Sequence, residues 1–236
     1  MVLPELADLV LPSACAGCGA DRVRLTYGTC PPCVAALESL RPRTASPTPP
    51  PPGFPACVAV GAYSGPLRGA LLAYKEKGRH RLAGPLGTLL AGAVAALAPR
   101  DRPVTLVPVP STSAARRERY GDHMARLADH AARRLRTAGY RVNVVQPLRA
   151  LPRPDSTSLD ASERATVAVN SLRMTSRIGV LRRDDRSRGT LVVADDIVTT
   201  GATLAAVVRR LEEADMQVTG AAVLAATELR KISPGI

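Results

Sequence analysis

Two short stretches of the chain hold residue types whose spacing could do chemistry. The first is ADDIVTTGAT, in which the adjacent carboxylates Asp195 and Asp196 end an apolar run and precede Val198, Thr199, Thr200, Gly201, Ala202 and Thr203. Neighbouring like charges are costly wherever they leave water, so such a pair implies something to hold. The turn after them leads into Leu204, Val207, Val208 and Leu211, which share one helical face. A Thr-Thr-Gly turn at a helix N-terminus offers backbone N–H groups, hydroxyls and a close approach to the chain, the parts of a phosphate cradle. The carboxylates would repel a bare phosphate. They suit another part of the same ligand: vicinal hydroxyls of a sugar, or a magnesium ion bridging to further phosphate. The plain alternative is an acidic strand-to-helix turn with a Thr cap.

The second stretch is a pair of knuckles, CAGC with Cys15 and Cys18 and CPPC with Cys30 and Cys33. Two C-x2-C pairs across a short loop are the spacing of a four-thiolate zinc site, and a full set of protein ligands makes that zinc structural. Disulfides and a redox dithiol are the rival readings. Cys57 falls in a strand-like run and reads as a small core residue.

The elements that must position these residues alternate in type. ACVAVGAY (56–63) is strand-like, and Leu67, Ala70, Leu71 and Tyr74 then repeat at helical spacing. Leu86, Leu89, Leu90, Ala93, Val94 and Leu97 mark the next helix, and residues 103–110 form a strand without alternation, as if buried on both faces. One long helix is expected from Ser113 to Arg136, then a strand over 141–148, a polar segment 149–188, a strand at 190–195, a helix at 202–214 and a last strand at 218–227. Strand and helix in turn predict an α/β fold with a mainly parallel sheet covered on both faces. Proline at the density of residues 41–55 favours extended chain, so this stretch reads as a semi-rigid linker after a small module. There is no internal repeat.

The totals narrow the partners. At 236 residues the chain can bury one substantial core beside a small appendage. No apolar run reaches the roughly 20 residues of a membrane span. The first residues carry Glu5 and Asp8 and no basic cluster, a poor secretory signal, so a cytoplasmic address is expected. The net charge of +12 and pI near 10.4 favour polyanionic partners, with solvated surface charge as the plain alternative. Few aromatic residues and no Trp leave little for a single-strand stacking platform.

ADDIVTTGAT resembles the phosphoribosyl pyrophosphate (PRPP) motif of type I phosphoribosyltransferases, with apolar residues, two acids and then T-T-G-x-T. YSGPLRGALLAYKEKG (63–78) and VPVPSTSAARRERYGDHMARLA (107–128), set behind two C-x2-C pairs, extend the likeness over nearly the whole chain. In that order they resemble the ComF/GntX-like family of phosphoribosyltransferase-like proteins. RERYGDH departs from the family in the order of aromatic and glycine, and Val167 stands where an Asn is expected.

The resemblance implies a Rossmann-like type I phosphoribosyltransferase domain at 56–236 with a mobile hood at 149–175. It also implies a zinc-ribbon-like module at 1–40, joined on through the Pro-rich stretch read above as a linker at 41–55. Asp195 and Asp196 would hold the ribose hydroxyls and act catalytically, while Val198 to Thr203 would hold the 5′-phosphate. The pyrophosphate loop would be Pro108, Val109, Pro110 and Ser111, running on to Ser113, with Arg116, Arg117, Arg119, Lys75 and Lys77 as sources of positive charge. His123 reads as a helix-face residue. Mg²⁺ would accompany PRPP, and Zn²⁺ would be structural. A transferase acting on an unidentified acceptor, with a nucleobase among the candidates, is one reading. The other is an accessory factor in DNA uptake (competence) or nucleotide metabolism that contacts single-stranded DNA. A homodimer is left open.

Overall fold

In the computed structural model, residues 14–152, 167–175 and 189–227 are described. The N-terminal part gives α1 (Pro31–Glu38), β1 (Arg43–Thr44), β2 (Cys57–Ala62), α2 (Gly65–Glu76), a 3-10 turn (His80–Leu82) and α3 (Ala83–Ala95). Next come β3 (Val104–Pro108), α4 (Ser113–Glu118), α5 (His123–Thr137) and the short strands β4 (Val142–Val144), β5 (Leu148–Ala150) and β6 (Leu172–Met174). The chain then builds β7 (Thr190–Val198), α6 (Ala202–Glu212) and β8 (Gly220–Ala226).

Six strands join in the order β1-β2-β8-β7-β3-β4. Every pairing among β2, β8, β7, β3 and β4 is parallel, and only β1 runs antiparallel, at the edge. Because side chains alternate along a strand, each buried strand feeds two cores. Val60, Leu106, Val192, Ala194 and Leu224 pack on one face with residues of α2, α3 and α5. Cys57, Ala59, Val107, Leu191, Val193 and Val223 pack on the other with Leu204, Val207, Val208 and Leu211 of α6. Helices thus cover both faces, as the unalternating strands predict. No helix among the described residues is long and apolar enough to cross a membrane.

Two expectations need correction. The single helix expected over 113–136 is two, α4 and α5, because Tyr120 (φ 52°) and Gly121 (φ 135°) leave helical backbone. Asp122 then caps the new start, its carboxylate accepting from the Ala125 N–H at 3.0 Å. Likewise, the strand expected over 141–148 divides, with β4 joining the main sheet and β5 leaving it to pair antiparallel with β6. Pro147 sits between them without an N–H to give, while its carbonyl accepts from Thr175 at 2.7 Å.

The proline-rich stretch lies against the body of the chain. It is docked chain, since Arg43 and Thr44 pair with Ala59 and Val58 of β2. Further on, Phe54 packs against the second core.

The cysteine module also lies against the body. A Cβ on Gly69 of α2 would collide with the carbonyl oxygens of Ala16 and Gly17, so only glycine permits this approach. Arg79, just after α2, donates to the Ala14 carbonyl at 2.5 Å.

Candidate functional site

The carboxyl ends of β3 and β7 lie side by side at the centre of the sheet. From β3 the chain moves outward to β4, and from β7 it moves the other way to β8. That divergence is the switch point where open α/β sheets take their ligands. Both chemistry-bearing segments of this part of the chain end there, Pro108–Ser111 after β3 and Asp195–Thr203 along and after β7. The Val109 N–H donates to the Ala194 carbonyl at 2.8 Å, which pins the proline loop beside the acids.

Strand alternation separates the two aspartates. Asp196 follows Val192 and Ala194 onto the face of α2 and α5, where it is buried. The Lys75 ammonium at the end of α2 stands 2.7 Å from Asp196 Oδ2, and His123 Nε2 at the start of α5 stands 3.1 Å from the same atom. Burial would raise this carboxyl, but the His123 hydrogen bond and the Lys75 charge outweigh it and hold Asp196 below the usual carboxylate range.

Asp195 is half-buried on the opposite face and accepts the Asp196 N–H at 2.9 Å through Oδ1. Burial, with the neighbouring Asp196 charge, pushes it up to about 8. Two adjacent acids therefore carry different charge near neutral pH, a division of the kind that acid–base sites exploit. Burial, with the Asp195 charge nearby, also pushes the Cys57 thiol up to about 12, which keeps it an inert core group as its strand position suggested.

The turn after β7 has the backbone expected of a helix start. Gly201 caps α6 with φ 76°, and the Thr200 hydroxyl accepts from the Ala202 N–H at 3.5 Å. Thr199 and Thr200 are exposed, Val198 is buried, and Ala202 and Thr203 are half-buried. A Cβ on Gly201 would lie 2.7 Å from the Phe54 ring and 2.9 Å from Pro47, so the proline-rich stretch passes directly against this turn.

The expected cations are less gathered than the sequence suggests. Lys75 is engaged by Asp196, whereas Lys77 and Arg117 are exposed. Arg119 reaches Glu76 at 3.7 Å. Arg116 donates to Ser113 Oγ at 3.3 Å and lines a small cleft with Pro108, Pro110, Ser111 and Arg149.

Arg149 and His123 were not foreseen as part of a site. His123, expected on a helix face, is buried between Asp196 and Ser111, and its carbonyl accepts the Tyr74 hydroxyl at 2.8 Å. Its partner Asp196 is 73 residues away in sequence, so no local spacing could have marked the pair.

At the N-terminal side, the sulfur atoms of Cys15, Cys18, Cys30 and Cys33 all lie within 4.8 Å of one another. Cys18 and Cys30 are 3.7 Å apart, close to the edge of about 3.8 Å that four sulfurs make around zinc at ~2.3 Å. The Cys30 N–H donates to Cys15 Sγ at 3.2 Å. Burial pushes the Cys15 thiol up, but the N–H groups of Cys18, Cys30 and Gly17 outweigh it and bring Cys15 down to about 6. Cys15 is thus thiolate-prone while burial raises Cys33, and four sulfurs this close together fit a zinc ion, which these residues could hold.

A mainly parallel α/β sheet with an acid pair and a helix-capping Thr-Gly turn at its switch point has the layout of a protein that takes phosphorylated ligands at the carboxyl edge of its strands. The chain belongs to the phosphoribosyl transferase domain family, whose model matches residues 103–233, more than half of its length. A search among curated proteins found none that matches.

Proposed function

We propose that this protein binds PRPP at the carboxyl ends of β3 and β7 and transfers its phosphoribosyl group to an acceptor, in the manner of a ComF/GntX-like phosphoribosyltransferase. The observation that carries the reading is the Asp195–Asp196 pair running into a glycine-capped helix start beside the Pro108–Ser111 loop, within a phosphoribosyl transferase domain.

In this reading Val198 to Thr203 receive the 5′-phosphate and the aspartate pair at the end of β7 serves the ribose hydroxyls, Asp195 from its more open face and Asp196 from the face it shares with Lys75 and His123. Pro108 to Ser111, with Arg116, receive the pyrophosphate, and the Arg149 guanidinium lining the same cleft supplies further charge. Transfer breaks the bond from ribose C1 to pyrophosphate, which leaves with the electron pair. The acceptor atom bonds to C1 and gives up its proton to solvent. Positive charge grows on the ribose ring, and an ionised carboxylate beside it stabilises that charge. Mg²⁺, bound with PRPP, would neutralise part of the pyrophosphate charge. The acceptor is unidentified, with a nucleobase as the candidate class, and the hood at 149–175, of which 153–166 lie outside the described residues, is the segment that would recognise it.

The reading divides the chain into a zinc module (1–40), a proline-rich connection (41–55) and a transferase domain (56–236), at a cytoplasmic address. Homodimer formation is to be measured by light scattering.

Isothermal calorimetry with PRPP and Mg²⁺ tests the proposal. Saturable binding by the wild type that is lost in Asp195→Asn/Asp196→Asn is expected. Absent heat, or equal heat from the variant, overturns it. A second reading, contact with single-stranded DNA in a competence role, draws on the net charge of +12. It requires oligonucleotide affinity that falls steeply with salt, and salt-independent or absent binding removes it.

A further inference from the structure

His123 stands between the two halves of the site. Its Nε2 is 3.1 Å from Asp196 Oδ2, and its Nδ1 is 3.3 Å from Ser111 Oγ in the loop after β3. Asp196 is buried, ionised and already bonded by Lys75, so it can only accept; His123 must carry its proton on Nε2. In the neutral ring Nδ1 is then an acceptor, and the Ser111 hydroxyl donates to it. The imidazole is enclosed and its backbone is held. Its residue is buried, its ring lies 6.4 Å from that of Tyr74, and its carbonyl is held by the Tyr74 hydroxyl. The helix that begins with it is capped by Asp122.

We propose that His123 is a positioning residue that sets Ser111, and with it the Pro108–Ser111 loop, at a fixed distance and hydroxyl orientation relative to the acid pair. It rests on the PRPP reading above, and it assigns His123 to the pyrophosphate half of that ligand. Lys75 holds Asp196 independently at 2.7 Å, so removing the imidazole leaves the acid in place and releases the loop.

The experiment compares PRPP with ribose 5-phosphate, which shares the ribose and 5′-phosphate contacts but lacks pyrophosphate. Calorimetric affinities for both are measured on the full chain for the wild type, His123→Leu, His123→Gln, Ser111→Ala and the His123→Leu/Ser111→Ala double variant, with thermal melts as the folding control. Leu keeps the bulk and loses both hydrogen bonds, and Gln keeps a donor and an acceptor.

The expected result is a loss of about tenfold or more in PRPP affinity for His123→Leu, the size of one or two lost hydrogen bonds to ordered polar groups. Affinity for ribose 5-phosphate stays within about twofold, and His123→Gln recovers most of the loss. The double variant is no worse than the weaker single one, because both substitutions remove the same link. Equal losses for the two ligands, or additive losses in the double variant, overturn the assignment while leaving PRPP binding intact. If His123→Leu does not fold, a Ser111→Ala variant with wild-type PRPP affinity overturns it as well. A wild type that binds neither ligand instead removes the PRPP reading itself, and this proposal falls with it.

Discussion

Asp196 and Lys75 form an ion pair with the carboxylate nearly enclosed (7% exposed) and the ammonium more open (20%). Taking away one partner of a buried pair leaves the other charge without compensation, which costs more than the pair contributes. Lys75→Met should therefore lower stability by about 2–3 kcal/mol, a drop of roughly 5–10 °C in melting temperature for a chain of this size. Lys75→Met combined with Asp196→Asn should recover part of that loss, and thermal melts of the three variants check it.

Asp195 gives a pH signature of its own. Its folded pKa is raised from 3.8 to about 8, so between those values the folded chain keeps a proton that the unfolded chain releases. Stability from this group is present below pH 4 and declines as pH climbs towards 8. Asp196 is shifted downward, so its contribution fades only below the ordinary carboxylate range and does not tilt this window. Asp195→Asn should flatten the fall in urea midpoint between pH 5 and 8, about the span of the shift, and leave values below pH 4 unchanged. An unaltered slope would show that the carboxyl is not held protonated.

At the scale of elements, periodicity read the fold where burial was uniform and failed where the backbone changed course. The unalternating apolar runs at 103–110 and 190–195 became the paired strands β3 and β7, since a strand covered on both faces has no polar residue to place. The division between α4 and α5 was less visible, because the apolar face of Met124, Leu127, Ala128 and Ala131 lies wholly within α5 and does not mark where that helix begins. Gly121 and Asp122 were the available signal, a breaker followed by a cap. The acid pair could be read from its residue types. Its inward contacts could not, because Lys75, His123 and Asp196 meet only after α2, α5 and β7 have packed. Asp122→Ala should cost about 1 kcal/mol through loss of the cap on the Ala125 N–H, and more if the start of α5 shifts and His123 loses its place. Urea unfolding gives the first quantity. The ratio of PRPP to ribose 5-phosphate affinity gives the second.

At the scale of the whole molecule, the cysteine module and the transferase domain share structure. Ala16 and Leu37, from either side of the Cys30–Cys33 knuckle, belong to the same core cluster as Leu71, Tyr74 and Leu90. The backbone of Ala16 and Gly17 lies against Gly69, and α2 carries Gly69 in its middle and Lys75 at its end. Metal bound by folded thiolates but not by the open chain adds its binding free energy to folding. That gain reaches the rest of the chain through the shared core and through α2, so the two parts should not melt separately. A chelator should lower the temperature of a single cooperative transition by several degrees, and Cys15→Ser/Cys18→Ser should reproduce the drop and make it insensitive to chelator. Gly69→Val should also lower it, with zinc content unchanged, because the substitution parts the module from α2 without touching a sulfur. Calorimetric scans paired with metal analysis distinguish these outcomes. Two separate transitions after chelation, the upper one unshifted, would mean that the module is only tethered, and the contact at Gly69 would then carry no stability across to the Lys75–Asp196 pair.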